Sequence, residues 1–142
     1  MSILLCKVCT FINFFVHKII YLIFSYLLII LSDVPSPPYD VEVNEIFQNS
    51  CVVSFKPSKD EGGAPIIKYV IERLDLSLKS QWDSVGEVMS GEKCVYKVED
   101  LIAKREYKFR IRAVNKLGSS EPAMFGKPVL AKDPWGKFYQ IN

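Results

Sequence analysis

The stretch Tyr107-Lys-Phe-Arg-Ile-Arg-Ala-Val114 alternates apolar and basic side chains with a period of two. Successive side chains of a strand point to opposite faces, so this pattern fits a β-strand with one face buried and one in water. It predicts a strand over residues 105–114, with Tyr107, Phe109, Ile111 and Ala113 inward and Lys108, Arg110 and Arg112 outward. A half-buried strand needs partners, and the chain supplies them. Strands are predicted at 39–44, with Val41 and Val43 on one face, and at 51–56, with Cys51, Val53 and Phe55 inward. Three more are predicted at 66–74, at 82–88, and at 93–99 with Cys94, Tyr96 and Val98 on one face. The last is predicted at 124–131. Residues 57–65 hold Gly62-Gly63 between Pro57 and Pro65 and read as a loop; residues 115–118 read as a turn. Seven short strands with turn signals between them predict an all-β, immunoglobulin-like sandwich.

This patterning starts only after a break. Asp33-Val34-Pro35-Ser36-Pro37-Pro38 cannot continue a helix and reads as an extended, Pro-rich entry linker. Residues 1–32 are almost wholly apolar, with no Asp or Glu and only Lys7 and Lys18 as full charges. The chain has 18 Lys and Arg; setting those two aside leaves 16, matched by 16 Asp and Glu, so the sandwich region is formally neutral. A neutral domain offers no electrostatic footprint for nucleic acid. The predicted organisation is an apolar segment at 1–32, a linker at 33–38, a sandwich at 39–133 and a tail at 134–142.

Leu101, Tyr107-Lys-Phe-Arg-Ile-Arg-Ala-Val-Asn115 and Gly118-Ser-Ser-Glu-Pro122 together resemble the fibronectin type III pattern. The resemblance makes Tyr107 the tyrosine corner, its ring in the core and its hydroxyl bonded to backbone near Leu101. Leu101 plugs the base of the sandwich, and Gly118 supplies a positive-φ turn position. A narrower likeness lies in Lys59-Asp-Glu-Gly-Gly-Ala-Pro-Ile66, Tyr69-Val-Ile-Glu72, Trp82 and the exit Ala131-Lys-Asp-Pro-Trp135. These resemble type III domains of the giant muscle proteins titin, twitchin and projectin. Phe55 stands where the family usually has Trp. The markers of fold and core are thus Phe55, Tyr69, Trp82, Leu101, Tyr107, Phe109 and Gly118. The resemblance implies a sarcomeric, cytoplasmic scaffold whose partners are proteins, thick-filament proteins such as myosin among them.

Chemistry has little to stand on. His17, the one histidine, lies in the apolar segment, so the sandwich has no imidazole for acid–base work, triads or metal. Cys6-Lys-Val-Cys9 is a lone CxxC without further ligands or a thioredoxin-like setting. Cys51 and Cys94, inward on neighbouring strands, allow a redox-sensitive crosslink, but two small buried hydrophobes is the plainer reading. Gly62-Gly63 lacks any phosphate-loop context. Asp60-Glu61 invites calcium, yet adjacent loop acids are usually just solvated. Lys104, Arg105, Lys108, Arg110 and Arg112 form a basic strip, diluted by Glu99, Asp100 and Glu106. The expectation is a noncatalytic binding module with no cofactor, metal or small-molecule substrate.

Residues 1–32 have three readings. As a membrane anchor, the run is interrupted by Asn13, His17 and Lys18, and the clean part from Ile19 is only about 20 Å as a helix. Lys7 and Lys18 would then keep the N-terminus inside. As a signal peptide, Ile30-Leu31-Ser32 is a poor cleavage site. The third reading is translated intron. The segment lacks Gly, Ala, Pro and Arg, the residues of GC-rich codons. Leu31-Ser32-Asp33 can encode a splice acceptor and Gly136-Lys137 a splice donor. The leading expectation is one link of a titin- or twitchin-like scaffold. The alternative is a single-pass membrane-anchored receptor or adhesion fragment with one type III domain. The absence of an Asn-x-Ser/Thr sequon after residue 32 favours the first.

Overall fold

The computed structural model describes residues 2–30, 32–78 and 81–134, and within the N-terminal helix the side chains of residues 7–27. Leu31, the Cys6 side chain, Trp135 and the Gly136-Lys137 pair lie outside the described residues. The chain divides into two units, Met1–Ser32 and Asp33–Asn142.

The first unit is one helix, α1, Ser2–Ile30. No Gly or Pro interrupts it. Its 29 residues make a rod of about 43 Å. Phe11 and Phe15, one turn apart, stack with centroids 6.1 Å apart. Lys7–Leu27 is long and apolar enough to cross a membrane, with a mean hydropathy of 1.7. Asn13, His17 and Lys18 do not end the helix; isolated polar residues keep their backbone bonds, so they count against hydropathy rather than against helicity.

The second unit is a sandwich of antiparallel strands. One sheet has the order β1 (Tyr39–Asn44), β2 (Cys51–Lys56), β5 (Val95–Val98). The other has the order β4 (Asp83–Met89), β3 (Ile66–Asp75), β6 (Glu106–Asn115). The free edge of β6 then carries β7 (Gly118–Ser119), β8 (Ala123–Met124) and β9 (Val129–Leu130). These three short ladders together occupy the place of the seventh strand. The single strand expected at 124–131 is broken because Pro122 and Pro128 have no N–H to give the ladder. Isolated bonds bridge the gaps, with Phe125 N–H donating to Phe109 O at 3.1 Å and Ala131 N–H to Arg105 O at 2.9 Å.

β6 alternates buried and less buried residues along its whole length, as its sequence period requires. Phe109, Ile111 and Ala113 are fully buried and Tyr107 nearly so. They meet Tyr69 and Ile71 of β3, Cys51, Val53 and Phe55 of β2, Val98 of β5, and Val129 and Ala131 at the exit. Phe55 and Tyr69 pack with centroids 5.0 Å apart and planes tilted by 56°. Each fully buried large side chain contributes about 1.5–3 kcal/mol, so this cluster drives folding.

Candidate functional site

The sandwich presents two tethered ends and one structured outer face. The chain enters along the Pro-rich segment. Pro35 and Pro38 are buried while Pro37 is exposed, a spacing of three that matches polyproline II. The segment lies against the loop 57–65. Asp33 N–H donates to Gly62 O at 2.7 Å and Ser36 N–H to Asp60 O at 2.9 Å. The Ser36 hydroxyl donates to Asp60 O at 3.2 Å and accepts from Asp60 N–H at 3.0 Å. Gly62 is needed here: its φ is +75°, and a Cβ would come within 2.2 Å of Asp33 O.

Asn115 locks this end. It is 3% exposed and uses all four positions of its amide. Nδ2 donates to Asp33 O and Glu61 O, both at 2.9 Å. Oδ1 accepts from Leu117 N–H at 2.8 Å and Gly118 N–H at 3.1 Å. One side chain thus joins the entry segment, the loop 57–65 and the turn after β6. Gly118 has φ +151° and faces Val34. Sequence reasoning treated Asn115 as a turn residue. The missed signal is parity: two steps beyond Ala113, the alternation puts this polar residue on the inner face.

The exit end is tied mostly by backbone. Ala131 pairs with both Lys104 and Arg105, and Leu101 N–H donates to Asn49 O at 3.0 Å. Asp133 accepts from Gln48 N–H at 3.0 Å. The Tyr107 hydroxyl accepts from Ile102 N–H at 2.9 Å, beside the buried Leu101. Entry contacts sit at the last residue of β6 and exit contacts at its start. Ten strand residues separate them, about 33 Å.

The outer face of the larger sheet carries the basic strip, and its arginines pair with acids of β3. Arg110 Nε lies 2.6 Å and Arg112 Nε 3.3 Å from Glu72 Oε2; Arg105 pairs with Asp75 at 2.9 Å. The acids near in sequence, Glu99, Asp100 and Glu106, are not these partners. Register decides: Glu72 stands opposite Arg110, and β6 lies beside β3 throughout. Trp82 stands just before β4, half-buried, outside the core cluster in which Phe55, Tyr69, Leu101, Tyr107 and Phe109 meet. Its ring covers the Arg110 guanidinium at 4.2 Å. Burial alone would raise the Asp75 pKa, but hydrogen bonds from Arg105 and the Ser77 amide hold it below the ordinary carboxylate value.

The two cysteines of the sandwich are apart. Cys51 pairs with Val98, whereas Cys94 lies beside Phe55, four residues along, or about 13 Å. A disulfide needs Cα atoms within about 7 Å, so the native fold excludes the crosslink reading. Burial pushes the Cys51 thiol up to about 12 and also raises Cys94, which suits packing rather than reactivity. Among the described residues no three His, Cys, Asp or Glu side chains gather as metal ligands.

A family model described as "Fibronectin type III domain" matches residues 36–125. The chain is 39% identical over 90 residues to the titin homolog of Caenorhabditis elegans, covering 63% of this chain and a share of that protein that rounds to 0%. It is 30% identical over 105 residues to the striated-muscle M-protein of Gallus gallus, covering 74% of this chain and 7% of that one. It is 32% identical over 103 residues to Roundabout homolog 2 of Homo sapiens, covering 72% and 7%. A crystal structure of domains A168-A170 from titin superposes with a TM-score of 0.64 at 30% identity, covering 72% of this chain and 34% of that one. The chain spans less than a tenth of each of these three relatives' length. Its sandwich is a protein-interaction module, and the chain belongs to the fibronectin type III family.

Proposed function

We propose that the sandwich is one noncatalytic link of a titin- or twitchin-like sarcomeric scaffold, working in the myofibril. The observation that carries this reading is the tethering of entry and exit segments at opposite ends of β6. A module held that way passes tension through its own sheet. Similarity to the worm titin homolog and the striated-muscle M-protein supports the same setting. The outer face, where the half-buried Trp82 ring covers Arg110, offers a surface to protein partners, thick-filament proteins such as myosin among them.

A second reading has one observation in its favour. The span Lys7–Leu27 is about 31 Å as a helix, close to the hydrocarbon thickness of a bilayer. On that reading the sandwich is the ligand-binding part of a single-pass membrane protein.

Full-length transcripts from the source tissue separate the two. Reads that splice at Asp33 and at Gly136 into neighbouring immunoglobulin or type III exons support the scaffold. A mature message encoding residues 1–142 with its own stop would overturn it in favour of the anchored protein.

A further inference from the structure

We propose that Ser36 is a phosphorylation site for a proline-directed protein kinase, and that its phosphorylation releases the entry segment from the sandwich. The proposal is independent of which larger protein carries the domain. Ser36 stands in Pro35-Ser36-Pro37-Pro38. The segment is extended, and Pro37, exposed, offers no N–H at the position after the serine. That is the form a proline-directed kinase accepts: an extended peptide with no backbone donor just after the hydroxyl.

Docking and modification exclude each other. In the docked state the Ser36 hydroxyl uses both its capacities on one residue, donating to Asp60 O and accepting from Asp60 N–H. The serine is half-buried there, so a kinase reaches it only when the segment lifts. Transfer forms the Oγ–P bond as the bond from the γ-phosphorus of ATP to its bridging oxygen breaks. ADP leaves, and the hydroxyl proton passes to the kinase's catalytic carboxylate. The product has lost its donor and carries a charge of about −1.5 to −2. It would stand against the backbone of Asp60, in a loop that also carries Glu61 and already folds the Asp60 carboxylate onto itself, Oδ1 accepting from Gly62 N–H at 2.9 Å. Lys59, the neighbouring base, is turned onto the Tyr39 ring at 4.7 Å. Like charge and the lost donor both favour the lifted state. By linkage, anything that lifts the segment speeds modification, and modification keeps it lifted.

The test treats the full chain, in mild detergent, with a proline-directed kinase and magnesium ATP. Mass spectrometry locates the phosphate, and amide hydrogen exchange follows the result. Phosphate is expected on Ser36. The amides of Asp33, Ser36 and Asp60 should then exchange on the order of tenfold faster, while Ile111 in β6 is unchanged. A Gly62→Ala chain, whose Cβ pushes against Asp33 O, should be phosphorylated on the order of tenfold faster, because the kinase sees only the lifted fraction. If Gly62→Ala also loses protection at Ile111, the exchange of the phosphorylated wild-type chain decides alone. No phosphate on Ser36 overturns the proposal. So does unchanged protection at Asp33 and Asp60 after phosphorylation, as when Lys59 turns to hold the phosphate in place. Equal rates for the two folded chains overturn it as well.

Discussion

At the entry end of the sandwich one side chain, Asn115, holds three segments with four hydrogen bonds. At the exit end the work is spread over backbone pairs of Ala131 with residues 104 and 105, one carboxylate, Asp133, and the Tyr107 hydroxyl. The difference follows from local chain chemistry. The entry segment is rich in proline and has few N–H groups to offer: those of Asp33 and Ser36 go to the loop 57–65, and the Asp33 carbonyl is taken by the Asn115 amide, which ties segment, loop and turn together. The exit segment after Pro128 can give and accept along a short ladder. An end where one side chain joins three segments should loosen sharply on one substitution; an end closed by many separate ties should lose strength in steps.

The largest test removes what both ends share. Phe109→Ala empties a fully buried site in the middle of β6 and should destabilise the sandwich by about 3–5 kcal/mol. Denaturant unfolding should show the loss, and amides at Asp33 and Ala131 should speed up together. Asn115→Ala strands two carbonyls and two amides and should cost about 2 kcal/mol. Exchange should rise at Asp33 and Gly118 well beyond the rise at Ala131. Equal rises would erase the contrast between the ends.

Tyr107→Phe keeps the buried ring and removes only the acceptor for Ile102 N–H. The expected loss is about 1 kcal/mol, a fall in Tm of roughly 4–8 °C, with faster exchange confined to the exit end. The smallest effect is one of pH. The Asp75 carboxyl is held below its ordinary value of 3.8 by Arg105 and the Ser77 amide, after the opposing effect of burial. A lowered folded value means the pair stabilises fully above 3.8 and is lost as pH falls through the lowered value. Wild type should therefore lose more stability between pH 5 and pH 2 than Arg105→Met, measured by thermal unfolding. Parallel curves would show that the pair contributes nothing.

Much of the fold could be read from period-two patterns. The alternation from Tyr107 set the inner and outer faces of β6, and the structure has the same assignment. The family likeness rested on such residues too. What could not be read was pairing across strands. Glu72 and Arg110 are far apart in sequence, and only the register of β3 against β6 makes them partners. Charge counting along the chain could therefore give the dilution of the basic strip but not its ion-pair partners. Trp82 was grouped with the markers of fold and core through the family likeness. Its ring instead lies over Arg110 outside the sheet, where a flat apolar face and a weakly hydrated cation suit each other. Asn115 was legible in principle, since a polar residue at an inward position demands partners.

A sandwich that bears load between two fixed ends has a signature in single-molecule stretching. With handles at Ser32 and Pro134, the chain should not lengthen until one cooperative rupture that releases roughly 330 Å. Gradual extension at low force, with the entry segment peeling away before the sheet breaks, would mean that the ends are not fixed and the sheet does not carry the load.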